Sequence, residues 1–179
     1  MFNQIKNFFG NIILTNQIKA KKEKHAFMPF DKADEIGIIY NAEDMKNEQK
    51  VQQFASELRS EGKKVFLLGF INKKEMPYKR VPHINSELFL NTNLTFFNLP
   101  DADKIGRFID MKFDILFNIY NEETLALQGI SVLSKSKYQL GAQMNHATKL
   151  FDLTIDTGNN KDIYYLAKQM EYYLKVILP

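Results

Sequence analysis

Nearly continuous apolar runs, separated by segments with helical periodicity, recur along this chain, and that alternation restricts its fold more than any other feature. Lys64–Ile71 and Phe113–Tyr120 are two such runs, and Glu35–Tyr40 is a shorter third. A strand reads this way when both of its faces are buried, as in a parallel sheet covered by helices. Lys46–Glu61 has Val51, Phe54, Ala55 and Leu58 on one helical face, and Gly62 follows as the residue that ends the helix. Leu94–Asn98 reads as a further strand and Asp101–Met111 as a short helix packing through Ile105, Phe108 and Ile109. Glu122–Ser134 carries apolar residues on most sides, which predicts a helix with no wet face, and Lys137–Gly141 reads as the next strand. Phe151–Asp156 alternates strictly, the pattern of a strand near a sheet edge, and Asn160–Ile177 is a closing helix. Asn72–Asn93 is polar, carries Pro77 and Pro82, and is long for a connection. Strands joined by helical crossovers predict a doubly wound, mainly parallel α/β sheet of the Rossmann or flavodoxin-like kind.

Ahead of this body stands an amphipathic arm. Residues 2–24 read as a helix in which Phe2, Ile5, Phe8, Phe9, Ile12, Ile13 and Ile18 recur at helical spacing, against Asn3, Lys6, Asn7 and Asn11 on the other side. The division expected is an arm and linker over residues 1–30 and one α/β domain over residues 31–179. The net charge is +3, yet residues 1–30 alone hold five lysines against Glu23, and the rest of the chain is near neutral. The arm is a poor secretory leader, because Gly10 and Asn11 interrupt its apolar stretch and Lys and Glu follow where small residues are needed. No apolar run approaches the roughly 20 residues of a membrane span. With no cysteine, the chain has no disulfide, thiolate metal centre or cysteine nucleophile. The expected location is the cytoplasm, with the arm free to associate with a membrane or a ribosome.

Familiar chemical motifs are missing. None of the glycines forms a dinucleotide-binding or phosphate-binding loop, and no nucleophile elbow occurs. Glu43 and Asp44 after the first strand imitate the acidic pair of a response-regulator receiver, but no suitably placed phospho-accepting Asp and late Lys can be assigned convincingly beside them. Asp101 and Asp103 form a D-x-D after an expected strand; acids in the first turn of a helix are favoured by its dipole, so they read as a helix start. His25, His83 and His146 lack metal-ligand spacing. No metal site and no cofactor are expected.

If the body holds a small-molecule site, a parallel sheet puts it at the carboxyl ends of the central strands. The residues expected there are Asn41, Glu43 and Asp44, then Asn118, Asn121 and Glu122, then Asp156 and Thr157. The set is acidic and would repel a phosphate; a polyol, an amine or a peptide suits it better. Thr157 or Asn159 is expected to cap the last helix. The second candidate surface is the cluster Lys19, Lys21, Lys22 and Lys24, suited to an anionic partner, with Lys73, Lys74, Lys79 and Arg80 as a further basic group. Three roles fit the arm: packing on its own body or on a twin chain, lying on an anionic membrane, or contacting RNA. No DNA-binding motif is present.

The stretch from Phe113 through Tyr120, Leu133 through Gly141 and Phe151 through Asp156, together with the basic leading helix, resembles an uncharacterised family of small α/β proteins from Bacteroidota, a domain of unknown function. That resemblance spans nearly the whole chain and implies a fold without an activity. The unit Phe113–Gly141 is also similar to a strand–helix–strand element of heptosyltransferase-like sugar transferases. The function favoured by these readings is a non-catalytic binding or interaction protein whose arm engages a partner. The alternatives are a sugar- or nucleotide-related enzyme and an RNA- or ribosome-associated protein.

Overall fold

The computed structural model describes residues 2–21, 26–76, 85–144 and 147–177. Its core is a sheet of six strands, all parallel: β1 (Glu35–Asn41), β2 (Lys64–Ile71), β3 (Ser86–Leu90), β4 (Lys112–Ile119), β5 (Lys135–Ala142) and β6 (Leu153–Ile155). They lie in the order β3-β2-β1-β4-β5-β6, so the chain winds outward from β1 to one edge and then from β4 to the other. The helices are α1 (Phe2–Ala20), α2 (Met45–Ser60), α3 (Ala102–Ile105), α4 (Arg107–Asp110), α5 (Leu125–Leu133), α6 (Ala147–Leu150) and α7 (Ile163–Val176). This is the doubly wound α/β architecture that the apolar runs predict.

Alternate residues of each strand feed two cores. Ile36, Ile38, Leu67, Ile115 and Phe117 pack with Val51, Phe54 and Leu58 of α2 and Leu166 and Met170 of α7. Ile39, Phe66, Leu68, Phe113 and Leu116 pack with Phe108 of α4 and Leu127 and Ile130 of α5 on the opposite face. Full burial of side chains of this size contributes about 1.5–3 kcal/mol each before entropy is counted.

The third strand is not where the composition put it. Leu94–Asn98 lies outside the sheet, closed into a turn by Asn98 N–H donating to the Thr95 carbonyl, with Asn98 at φ 59° and Phe96 exposed. The strand is Ser86–Leu90, inside the stretch expected to be irregular, and it pairs with β2 as the short sheet edge. Only Phe89 of it is fully buried, with Leu88 and Leu90 half-buried on the other face, so three apolar residues are all the pattern there is to detect. The single helix expected over Asp101–Met111 is two short ones, divided at Gly106, whose φ of 66° no helix accommodates. The last helix is capped by Asp162, not by Thr157 or Asn159: its carboxylate accepts the Tyr164 and Tyr165 N–H groups at 2.8 and 3.1 Å.

The arm is packed on the body. Leu14 and Ile18 of α1 are buried against Leu99, with Leu125 and Val132 of α5 beside them. A Cβ at Gly10 would lie 2.4 Å from the Phe97 carbonyl oxygen, so only glycine lets the backbones approach this closely. Asn98 Nδ2 donates to Asn7 Oδ1 at 2.7 Å. At the far end, Lys21 Nζ donates to the carbonyls of Ser131, Val132 and Ser134 at 3.0, 2.7 and 2.8 Å. The carbonyls at a helix C-terminus lack intrahelical partners and carry its negative pole, so an ammonium is the matching cap. Burial pulls the Lys21 pKa down to about 8, still above neutrality, so the charged form makes these bonds at pH 7.

Two substitutions test the seam. Gly10→Leu forces the helix off Phe97, and Lys21→Met keeps the stem but takes the ammonium from three carbonyls, of which that of Ser131 keeps Gln139 Nε2 as a donor at 3.1 Å; each is expected to cost about 1–3 kcal/mol. Hydrogen exchange should accelerate through α1 and the outer side of α5 first. Unchanged exchange in both variants would mean the seam does not hold the arm.

Candidate functional site

β1 and β4 are neighbours, yet the chain leaves them for opposite faces: α2 follows β1 on one side and α5 follows β4 on the other. Their departure opens a cleft at the carboxyl edge of the sheet, the position where open α/β sheets accept ligands. Its volume is about 70 Å³. Ile119, Leu127 and Ile163 supply its apolar wall, and Asn41, Asn47, Tyr120, Asn121 and Glu122 also line it.

Of the residues expected at this edge, Asn41, Asn121 and Glu122 meet at the cleft. Asn41 Oδ1 accepts the Glu43 N–H at 2.9 Å, and Asn121 Nδ2 donates to the Lys161 carbonyl at 2.8 Å, so both loops are pinned. The others serve the scaffold. Glu43 accepts the Asn72 N–H at 3.1 Å and ties the loops after β1 and β2 together. Asp44 caps α2 by accepting the Lys46 N–H at 3.0 Å. Asp156 accepts the Gly158 N–H at 2.8 Å in a local turn, and the Thr157 carbonyl accepts the Asn160 N–H at 3.0 Å. Asn118 is fully buried: its amide donates to the Leu140 carbonyl at 2.9 Å, and its Oδ1 accepts the Ser131 hydroxyl. The Ser131 proton is thereby committed, so the Tyr120 hydroxyl donates to Ser131 Oγ, and burial pushes that phenol well above its ordinary pKa. This chain of bonds locks α5 to β4 beneath the cleft. Asn47 was not legible as a lining residue, because a polar side chain in the first turn of a helix ordinarily faces water.

A second surface lies on α1. At 3.6 residues per turn, Ile5, Phe8, Phe9 and Ile12 form a stripe opposite Gly10, Leu14 and Ile18. They are 52%, 62%, 48% and 44% exposed, and the neighbouring Phe96 is 59% exposed. Phe8, Phe9, Phe96 and Phe97 form a chain of edge and tilted ring contacts, with the Lys6 ammonium 4.2 Å from the centre of the Phe96 ring. Within the expected lysine cluster, Lys19 is exposed on the same side as the stripe, Lys21 is the cap of α5, and Lys22 and Lys24 lie outside the described residues. His25, His83, His146, Lys79 and Arg80 also lie outside them, while Lys73 and Lys74 are exposed. Asp101 stands at the start of α3 and pairs with Lys104 at 3.2 Å; Asp103 is exposed in the helix's first turn.

The geometry defines a doubly wound α/β protein with a polar cleft at its switch point and an apolar helical face held outward. The sequence pattern of a family of unknown function, DUF6913, matches residues 6–177, and the chain belongs to that family. No curated protein and no solved structure matches it.

Asp162 separates capping from other roles at the edge of this site. Lys50, at 2.6 Å, and the capped N–H groups hold its carboxyl below the ordinary 3.8. Asp162→Ala is expected to lower stability at pH 7 by about 1 kcal/mol. A depressed carboxyl stabilises the fold above its unfolded pKa and loses that contribution as pH falls through the folded value. The gap between wild type and variant in urea titrations should therefore hold from pH 7 to about pH 5 and close toward pH 3. A gap independent of pH would contradict the ionic cap.

Proposed function

We propose that the protein is a peripheral, non-catalytic docking protein, and that the outward face of α1 lies on an anionic lipid surface. The observation that carries this reading is the stripe Ile5, Phe8, Phe9 and Ile12, exposed while the opposite face of the same helix is packed on the body. The body already uses one side of the helix, so the other is available for something outside the chain. Phe2–Ala20 contains lysines and no acid, which matches an anionic headgroup layer. No helix among the described residues is long and apolar enough to cross a membrane, so contact would be at the surface. An RNA backbone would need cations at the centre of the contact, where this face presents aliphatic and aromatic side chains.

In this reading residues 1–30 act as the docking arm of the domain over residues 31–179, at the cytoplasmic, anionic side of a bilayer. The likeness to small Bacteroidota proteins fits such a role without specifying it. The likeness of Phe113–Gly141 to a heptosyltransferase-like element concerns the fold of that unit. Those enzymes close a second such domain over their ligand, and most polar residues expected at the strand ends here are occupied in caps and turns.

Burial of the stripe in the interface would contribute several kcal/mol, with roughly 1 kcal/mol more for each lysine near an anionic surface. Sedimentation with vesicles should show binding when anionic phospholipid is included, weaker binding to purely zwitterionic vesicles, and weakening with salt. Phe8→Ser combined with Phe9→Ser should reduce binding at least tenfold, and Lys6→Gln with Lys19→Gln should reduce the preference for anionic lipid. Absence of lipid binding, a gel shift with structured RNA that needs the lysines but not the two phenylalanines, or a dimer dissolved by the phenylalanine substitutions would each overturn the reading.

A further inference from the structure

We propose that the cleft at the carboxyl edge of β1 and β4 is a binding site for a small, uncharged, polyhydroxylated ligand. This inference stands apart from the docking face. Hydrogen-bonding groups left over at the cleft define the ligand. Asn41 spends its carbonyl oxygen on Glu43 N–H, which leaves its amide donor. Asn121 spends its amide donor on the Lys161 carbonyl, which leaves its oxygen. Asn47 lines the cleft with no partner for either end of its amide among the described residues, and the Glu122 carboxylate is likewise unpaired. The cleft thus presents two amide donors and three acceptor groups. A hydroxyl both donates and accepts, so a polyol can meet both kinds. An ammonium would satisfy the acceptors and leave both donors unmatched.

The electrostatics disfavour an anion by the same reasoning. The first turns of α2, α5 and α7 reach the cleft through Asn47, Leu127 and Ile163, and helix N-termini ordinarily attract anions. Each is already capped from its own chain, by Asp44, Thr124 and Asp162 respectively. Two of those caps are carboxylates, Asp44 and the Lys50-paired Asp162, Glu122 adds a third, and among the described residues neither Lys nor Arg lines the cleft. A phosphate would meet negative charge where a phosphate-binding loop offers bare N–H groups. The volume of about 70 Å³ accommodates on the order of five water-sized groups, the scale of a four-carbon polyol or one edge of a sugar ring. Ile119, Leu127 and Ile163 give its carbon face an apolar wall.

The test is a titration of the full chain followed by amide nitrogen–proton spectra, with erythritol, ethanolammonium and inorganic phosphate as separate probes. Erythritol is expected to give saturable shifts at the amides of residues 41, 47, 121 and 122, with the other two probes weaker by at least fivefold. Asn47→Leu, which breaks no side-chain hydrogen bond among the described residues, should weaken erythritol at least tenfold while the thermal transition stays in place. If no saturable shift occurs at the cleft, or if Asn47→Leu leaves the affinity unchanged, there is no such site. Tighter binding of phosphate or ethanolammonium at the same residues would overturn the assigned ligand class.

Discussion

Helix α5 is apolar on nearly every side, and the rest of the molecule is arranged around keeping it dry. Every residue from Ala126 to Ser131 is buried. The sheet covers one side of a helix; the other must be covered by a further layer or left exposed at a cost. The two faces of the sheet are unequally served. One carries α2 and α7, of 16 and 14 residues, while the other carries α5, of nine, and the short α3 and α4. The second layer over that lighter face is α1, seated through Gly10, Leu14 and Ile18 and fastened by the Lys21 ammonium at the end of α5.

That role explains the inner face of α1 and leaves the outer one unexplained by folding. A helix needed only as a cover would carry polar residues outward, as α2 does with its charged side. In α1 the outward positions nearest the N-terminus are Ile5, Phe8, Phe9 and Ile12, and the side-by-side phenylalanines of the 94–98 turn extend the same patch. Apolar area of this kind, contiguous and edged by lysine, is what supports the proposed contact surface. The turn has the matching double duty: Phe97 and Leu99 touch α1 while Phe96 remains outward. In the proposed reading, docking and folding share one helix, with the body behind the surface it presents.

The sheet was legible because strands buried on both faces are nearly all apolar, and Lys64–Ile71 is read from the sequence to the residue. Failures occurred where tertiary contact outweighed local pattern. Leu94–Asn98 has strand composition, but its phenylalanines serve α1 and not the sheet. Ser86–Leu90 is a true strand with one buried side chain, so composition cannot reveal it. The arm was legible as a helix, but two apolar stripes on opposite faces blur into one when counted by spacing alone. At the cleft, the loops after β1 and β4 were foreseen from topology, whereas the cap of α2 drew Asp44 away from it and a local turn drew Asp156. No spacing in the sequence distinguishes an acid that caps a helix from one that faces a ligand.

The chain has no tryptophan, so one introduced on α1 reports alone. Phe8→Trp places it on the outward stripe and Leu14→Trp on the packed one. If the outward face docks on a bilayer, anionic vesicles should shift the emission at position 8 to shorter wavelength and expose it to quenching by brominated acyl chains. Position 14, already dry, should be unaffected by either. Equal responses at the two positions, or none at position 8 under conditions where the protein sediments with lipid, would contradict a helix that covers α5 with one face and docks with the other.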